Sequence, residues 1–123
     1  MTALILHLRG AMQSYPDDGF GQIRNAGLFP TRSAVLGIVA AALGVPRYDP
    51  RLVKLHDAFK VHAAVVRPGS VRTDYHVVET GAANRTQTYR DYHHEAWYVA
   101  LLEARTPKNA PAVEEARRAL TRP

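Results

Sequence analysis

The chain has 123 residues, 46% of them hydrophobic, a formal net charge of +5 and no cysteine. This length suits a single domain with a modest core, and the apolar fraction excludes a disordered tail. The missing thiols exclude disulfide staples and thiolate metal sites, and the longest apolar run, 34–43, falls far short of the roughly 20 residues a bilayer span needs.

Ala3-Leu4-Ile5-Leu6, followed by His7-Leu8-Arg9, predicts a buried strand over Thr2–Arg9 that Gly10 ends. No basic leader or small-residue cleavage site precedes it, so no secretory signal and a cytoplasmic location are expected. Residues 10–30 are punctuated by Gly10, Pro16, Gly19, Gly21, Gly27 and Pro30 and read as a long loop. Its Gln13, Tyr15, Phe20, Gln22, Arg24 and Asn25 mix aromatic, amide and cationic groups, which stack on bases and bond phosphates.

Thr31–Leu43 predicts a helix with Thr31 as N-cap, Gly44 as a left-handed terminator and Pro46 beyond it. The helix is apolar all round and is expected to be buried on most sides. Gly37 in its middle predicts close approach of another backbone. Pro50–Phe59 predicts a short helix with Leu52, Leu55 and Phe59 inward. Lys60–Arg67 and Val71–Val78 predict two strands joined into a hairpin by Pro68-Gly69. Strand parity places Tyr75 with Val71, Thr73 and Val77 inside and His76 outside. Residues 79–86 read as a polar loop and Gln87–His93 as a polar extended segment. Glu95–Glu103 reads as a strong strand, Pro107 and Pro111 bracket a loop, and Ala112–Leu120 predicts a helix burying Val113, Ala116 and Leu120. The order is strand, helix, strand pair, strand, helix: an α+β pattern that a ferredoxin-like βαββαβ domain would complete with one more strand.

Of the 16 basic residues only Lys54, Lys60 and Lys108 are lysine, and the rest are arginine, the bidentate phosphate binder. A GC-rich genome would give the same ratio. The positive balance itself points to a polyanionic partner. Thr31, Arg32 and Ser33 open a helix, where free N–H groups and the positive dipole end suit a phosphate; an ordinary N-cap is the plain alternative. Gln13, Ser14 and Tyr15 follow a strand end, where the phenol can stack a base and the amide read an edge. Arg85, Thr88, Tyr89, Arg90 and Tyr92 interleave cations with aromatics, suiting a hairpin that wedges against nucleic acid or a neighbouring subunit. Its plain alternative is a solvated hairpin in which Arg90 pairs with Asp91 or Glu95. Six histidines offer no His-x-His or Glu-x-x-His spacing, so neither a metal nor another cofactor is expected.

Four ordered blocks carry a family resemblance. These are Leu8-Arg9-Gly10-Ala11-Met12-Gln13-Ser14-Tyr15, Phe29-Pro30-Thr31-Arg32-Ser33 with Gly37, Asp74-Tyr75-His76-Val77-Val78, and Thr86-Gln87-Thr88-Tyr89-Arg90-Asp91-Tyr92. Together they resemble the front portion of the CasD family of CRISPR Cascade subunits, subtype I-E. Tyr15 stands where the family more often has tryptophan, and Asp17-Asp18 puts two acids in the loop. The resemblance implies one RAMP domain over 1–123, ferredoxin-like (RRM-like), with a protruding thumb hairpin around 68–95 and without its last strand and C-terminal segment. It implies a non-catalytic protein that holds the 5′ handle of CRISPR RNA in antiviral defence. Its partners would be the backbone and large subunits, with target DNA met indirectly and no membrane. The RNA-binding residues it favours are Gln13, Ser14, Tyr15, Arg24, Thr31, Arg32, Ser33, His76, Arg85, Tyr89 and Arg90. The competing reading is a metal-independent endoribonuclease drawing acid and base from His76, Tyr89, His93 and Lys60. A third is a protein-interaction module whose basic charge is incidental.

Overall fold

In the computed structural model the described residues are 2–16, 23–24 (backbone only), 26–81 and 84–123. The elements run β1 (Ala3–Arg9), β2 (Met12–Gln13), β3 (Ile23–Arg24), α1 (Arg32–Ala42), α2 (Arg51–Ala58), β4 (Phe59–Arg67), β5 (Ser70–Glu79), β6 (Arg85–His94), β7 (Trp97–Ala104), a 3₁₀ turn (Pro107–Asn109) and α3 (Ala110–Thr121). One sheet has the order β1-β7-β4; in the other, β6 carries β2 and β3 along one side and β5 along the other. Strands β2 and β5 run antiparallel to β6, and β3 runs parallel to it. The chain gathers into two compact units: unit 1 holds residues 1–7, 32–64 and 99–123, and unit 2 holds 8–31 and 65–98.

The core of unit 1 follows from amphipathic spacing. Helix α1 buries Val35, Leu36, Val39 and Ala40, the i, i+1, i+4, i+5 stripe of a one-sided helix. Phe59, Ala100, Leu102, Val113 and Ala116 are buried in the same unit. On β7 burial alternates strictly from Trp97 to Leu102, because successive side chains point to opposite faces. Helix α1 ends in a Schellman motif: Val45 N–H donates to Ala40 O at 2.8 Å and Gly44 N–H to Ala41 O at 3.1 Å. Gly44 adopts φ 69° there, which a Cβ would strain.

Several expectations are corrected. Helix α1 is buried on one side rather than on most: Ser33, Gly37 and Ala41 are exposed, and a Cβ on Gly37 would meet nothing within 4 Å. Alanine and glycine count as apolar in a pattern but bury little, so the apolar run overstates the covered face. Residues 10–30 are not structureless, because β2 and β3 both pair with β6. Pro111 lies in the first turn of α3, where its missing N–H costs nothing, rather than closing a loop. Most consequentially, β4 and β5 do not form a hairpin. The chain passes between sheets at Pro68-Gly69, and β5 pairs with β6 from Ser70↔His94 to Glu79↔Arg85.

Parity also misled at Tyr75. That side chain is 50% exposed, while His76 is the one residue of β5 that is partly covered. Parity finds the two faces of a strand, but which face is covered depends on what packs there.

Candidate nucleic-acid interface

The turn after β1 is held by its own side chains, all within unit 2. Gln13 Nε2 donates to Leu8 O at 3.3 Å and to Ala96 O at 3.0 Å, and its Oε1 accepts the Tyr15 hydroxyl at 2.9 Å. Tyr15 N–H donates to Ala26 O at 3.0 Å. The Tyr15 ring stands edge-on to Tyr98 with centroids 5.9 Å apart, and burial followed by the neighbouring Tyr98 phenol pushes the Tyr15 pKa up. Ser14 Oγ donates to Asp91 O at 2.8 Å, tying the turn to β6. Gln13 and Tyr15 therefore brace this turn: the amide has its partners inside the protein, and one edge of the phenol ring is packed.

Beneath the turn lies His93, whose Nε2 sits 2.7 Å from Gly27 O and whose ring meets Tyr98 at 6.0 Å. Its Nδ1 and the Tyr98 hydroxyl are buried without a hydrogen-bond partner among the described residues.

Beside the turn is a cavity of about 290 Å³ lined by Met12, Gln13, Ser14, Pro16, Arg90 and Tyr92. The Nε–H of Arg90 is buried and has no partner among the described residues. Register places Arg90 opposite Asp74 on β5, but the Asp74 carboxylate lies against His76, with Oδ2 at 3.1 Å from Nε2. That separation suits an ion pair, yet the His76 nitrogen gains no aligned hydrogen bond from it. An unpartnered guanidinium N–H beside a hydroxyl and a phenol is a site for an oxyanion or a base edge.

The other residues singled out by sequence are distributed as follows. Arg85 Nε is 3.0 Å from Glu79 Oε1 across the hairpin. Tyr89 packs against Tyr75 with ring centroids 5.4 Å apart and both rings exposed. Thr88 Oγ1 reaches His76 O at 3.5 Å. Arg32, in unit 1, donates to His56 O, to Phe59 O at 3.2 Å and to His56 Nδ1 at 3.0 Å. It thus closes the carbonyl end of α2, where a cation is favoured. Thr31 belongs to unit 2 and Ser33 to unit 1. Phe20, Gln22, Asn25, Asp17 and Asp18 lie outside the described residues, and Arg24 is described through its backbone, which pairs with Arg90 of β6.

One contact and one cavity escaped the sequence reading. Arg9 places its guanidinium carbon 4.5 Å from the centroid of the Trp97 ring, a cation–π contact between the neighbouring strands β1 and β7. Tyr92 lines the cavity with Arg90. Their shared parity on β6 was readable; the cavity beside them was not.

Charge divides unevenly. Unit 2 sets Arg9, Arg24, Arg67, Arg72, Arg85 and Arg90 against Asp17, Asp18, Asp74, Glu79, Asp91 and Glu95, so the whole +5 excess lies in unit 1.

A family model described as "CRISPR-associated protein (Cas_Cas5)" matches residues 3–123. The chain is 30% identical over 138 residues to "CRISPR system Cascade subunit CasD" of Escherichia coli (strain K12), covering 98% of this chain and 61% of that protein. Among solved structures, a chain of a "CRISPR RNA-guided surveillance complex" superposes with TM-score 0.82 and 26% identity, over 99% of this chain and 54% of that one. "Crystal structure of Cas protein" superposes with TM-score 0.71 and 27% identity, over 98% of this chain and 52% of the other. The chain thus spans little more than half to three-fifths of these relatives, which share its mixed α+β fold.

Proposed function

Because this chain belongs to the CRISPR-associated Cas5 family, we propose that it is a non-catalytic subunit of Cascade, cytoplasmic, that grips the 5′ handle of CRISPR RNA. The observation that carries this reading is Arg90. Leaving a buried charged donor unsatisfied costs about 1–3 kcal/mol or more, and its N–H has no acceptor among the described residues. A phosphodiester oxygen or base carbonyl entering the cavity beside Ser14 and Tyr92 supplies one. The excess cations of unit 1 add the sequence-independent attraction that releases counterions from the RNA.

Holding without cutting fits the placement of the acid–base candidates. His76 and Tyr89 have opposite parity on the paired strands β5 and β6 and so face opposite ways. His93 is buried against Gly27 O. Cleavage at a ribose needs a base and an acid converging on one phosphate.

Binding is measured by fluorescence anisotropy with a 5′-handle oligoribonucleotide. Arg90→Ala is expected to weaken affinity about ten-fold, as expected for removing one charge-assisted hydrogen bond, while thermal stability stays level. Unchanged affinity would remove the cavity from the interface. Incubation with precursor RNA in EDTA is expected to return it intact, and specific cleavage abolished by His76→Ala would replace this reading with the nuclease.

A further inference from the structure

The cavity beside the β1 turn is lined by Met12, Gln13, Ser14, Pro16, Arg90 and Tyr92, all of unit 2, and its polar groups are not interchangeable. The Gln13 amide is committed to Leu8 O, Ala96 O and the Tyr15 hydroxyl. Arg90 brings a buried Nε–H with no partner among the described residues, and a guanidinium can only donate. Ser14 is its counterpart. A carbonyl can only accept, so the hydroxyl hydrogen of Ser14 points at Asp91 O, 2.8 Å away. Asp91 is itself held on β6 opposite Thr73, whose hydroxyl donates to Asp91 Oδ1 at 2.6 Å. With its hydrogen directed there, Ser14 Oγ offers lone pairs, not a proton, to a group that enters the cavity.

A ligand that satisfies both residues has to take one hydrogen and give one. A phosphate oxygen answers Arg90 but sets a second acceptor against Ser14. A base carbonyl does the same, and a base edge that also donates needs two separate atoms in one plane. A hydroxyl accepts and donates at a single oxygen. In RNA that group is the ribose 2′-hydroxyl, the group that distinguishes it from DNA. Met12, Pro16 and the ring of Tyr92 supply an apolar wall against which sugar carbons pack.

We propose that this cavity reads a ribose 2′-hydroxyl, with Arg90 Nε–H donating to it and Ser14 Oγ accepting from it, so that the site favours RNA over DNA of the same sequence. The assignment rests on the handle-binding reading above and names the group bound. Fluorescence anisotropy on the whole chain tests it, with a 5′-handle oligoribonucleotide carrying a 2′-deoxy or 2′-fluoro sugar at one position at a time. The fluoro sugar keeps an RNA-like pucker but has no hydrogen to give. At one position both substitutions are expected to weaken binding about five-fold, the loss of one hydrogen bond. Ser14→Ala is expected to weaken binding of unmodified RNA by about as much and to be indifferent to the sugar at that position. Ser14→Thr, which keeps the hydroxyl, is expected to restore the sensitivity, with circular dichroism melts confirming the fold of each variant. Should Ser14→Ala not fold, the wild-type series still decides. A wild type that tolerates every 2′ substitution overturns the assignment and leaves handle binding standing. So does a sensitive position that is equally sensitive in folded Ser14→Ala, or one that responds to the base's own N–H and not to its sugar. A wild type that does not bind the unmodified RNA overturns both readings.

Discussion

Gln13 and Arg90 have exchanged the roles that their residue types suggest. The amide of Gln13 is committed to two carbonyls and one phenol of its own unit, so Gln13→Ala is expected to lower stability by about 1–3 kcal/mol in urea denaturation. RNA affinity of the folded fraction should be unchanged. Arg90 leaves a buried N–H without a partner among the described residues, so its removal should spare stability and reduce binding. Arg32 behaves like Gln13. Sequence alone expects Arg32→Ala to weaken RNA binding and flatten its salt dependence. With its guanidinium on the carbonyls of His56 and Phe59, the expected result is a stability loss of about 1 kcal/mol with the salt slope kept. Tyr15 and Tyr98 carry a pH signature, since burial raises both phenol pKa values above the ordinary 10.0. Above that pH the unfolded chain releases these protons before the folded one does. Stability is therefore whole below pH 10 and falls as pH climbs through the raised native values. Urea midpoints measured across the alkaline range should show this decline, and Tyr15→Phe should make it shallower.

At the scale of elements, two of the left-handed glycines, Gly44 and Gly69, differ in what surrounds them. Gly44 has φ 69° but open space where a Cβ would stand. Gly44→Ala should cost about 1 kcal/mol, the strain of the left-handed backbone alone. At Gly69 a Cβ would sit 2.1 Å from His94 O and 2.9 Å from Ala96 N, both main-chain atoms that cannot swing aside. Gly69→Ala should cost about 3 kcal/mol or more, and the two variants compared by thermal melts check the ranking. The difference has a structural meaning. Gly69 lets the chain cross against the segment joining β6 to β7, where Glu95 itself has φ 57° and Arg67 Nε donates to Glu95 O at 2.9 Å.

Across the whole molecule, chemistry and charge are divided. The excess of cations lies in unit 1, while the cavity with Arg90 lies in the electrically balanced unit 2. Pairwise reversal of exposed unit 1 cations, such as Lys54→Glu with Arg47→Glu, should flatten the plot of log affinity against log salt. The slope should fall by roughly 0.7 for each phosphate of single-stranded RNA that is no longer neutralised. Arg90→Ala should lower affinity at every salt concentration. Equal slopes in all variants would mean that the unit 1 surplus does not meet RNA.

Much of this protein is written along its chain. The helix terminator at Gly44, the strong strand read over Glu95–Glu103 and the amphipathic α3 were all legible, because capping, alternation and helical periodicity act between residues a few positions apart. Composition likewise fixed the surplus of arginine and the lack of thiol ligands. The tertiary structure alone decided that β5 pairs with β6 rather than β4, that Tyr75 is half exposed, and that Gln13 and Arg32 are occupied while Arg90 Nε has no partner among the described residues. Those outcomes depend on which carbonyls and side chains arrive from segments tens of residues away. A residue's donors are the same in any sequence; whether they remain open is set by the neighbours that folding brings to them.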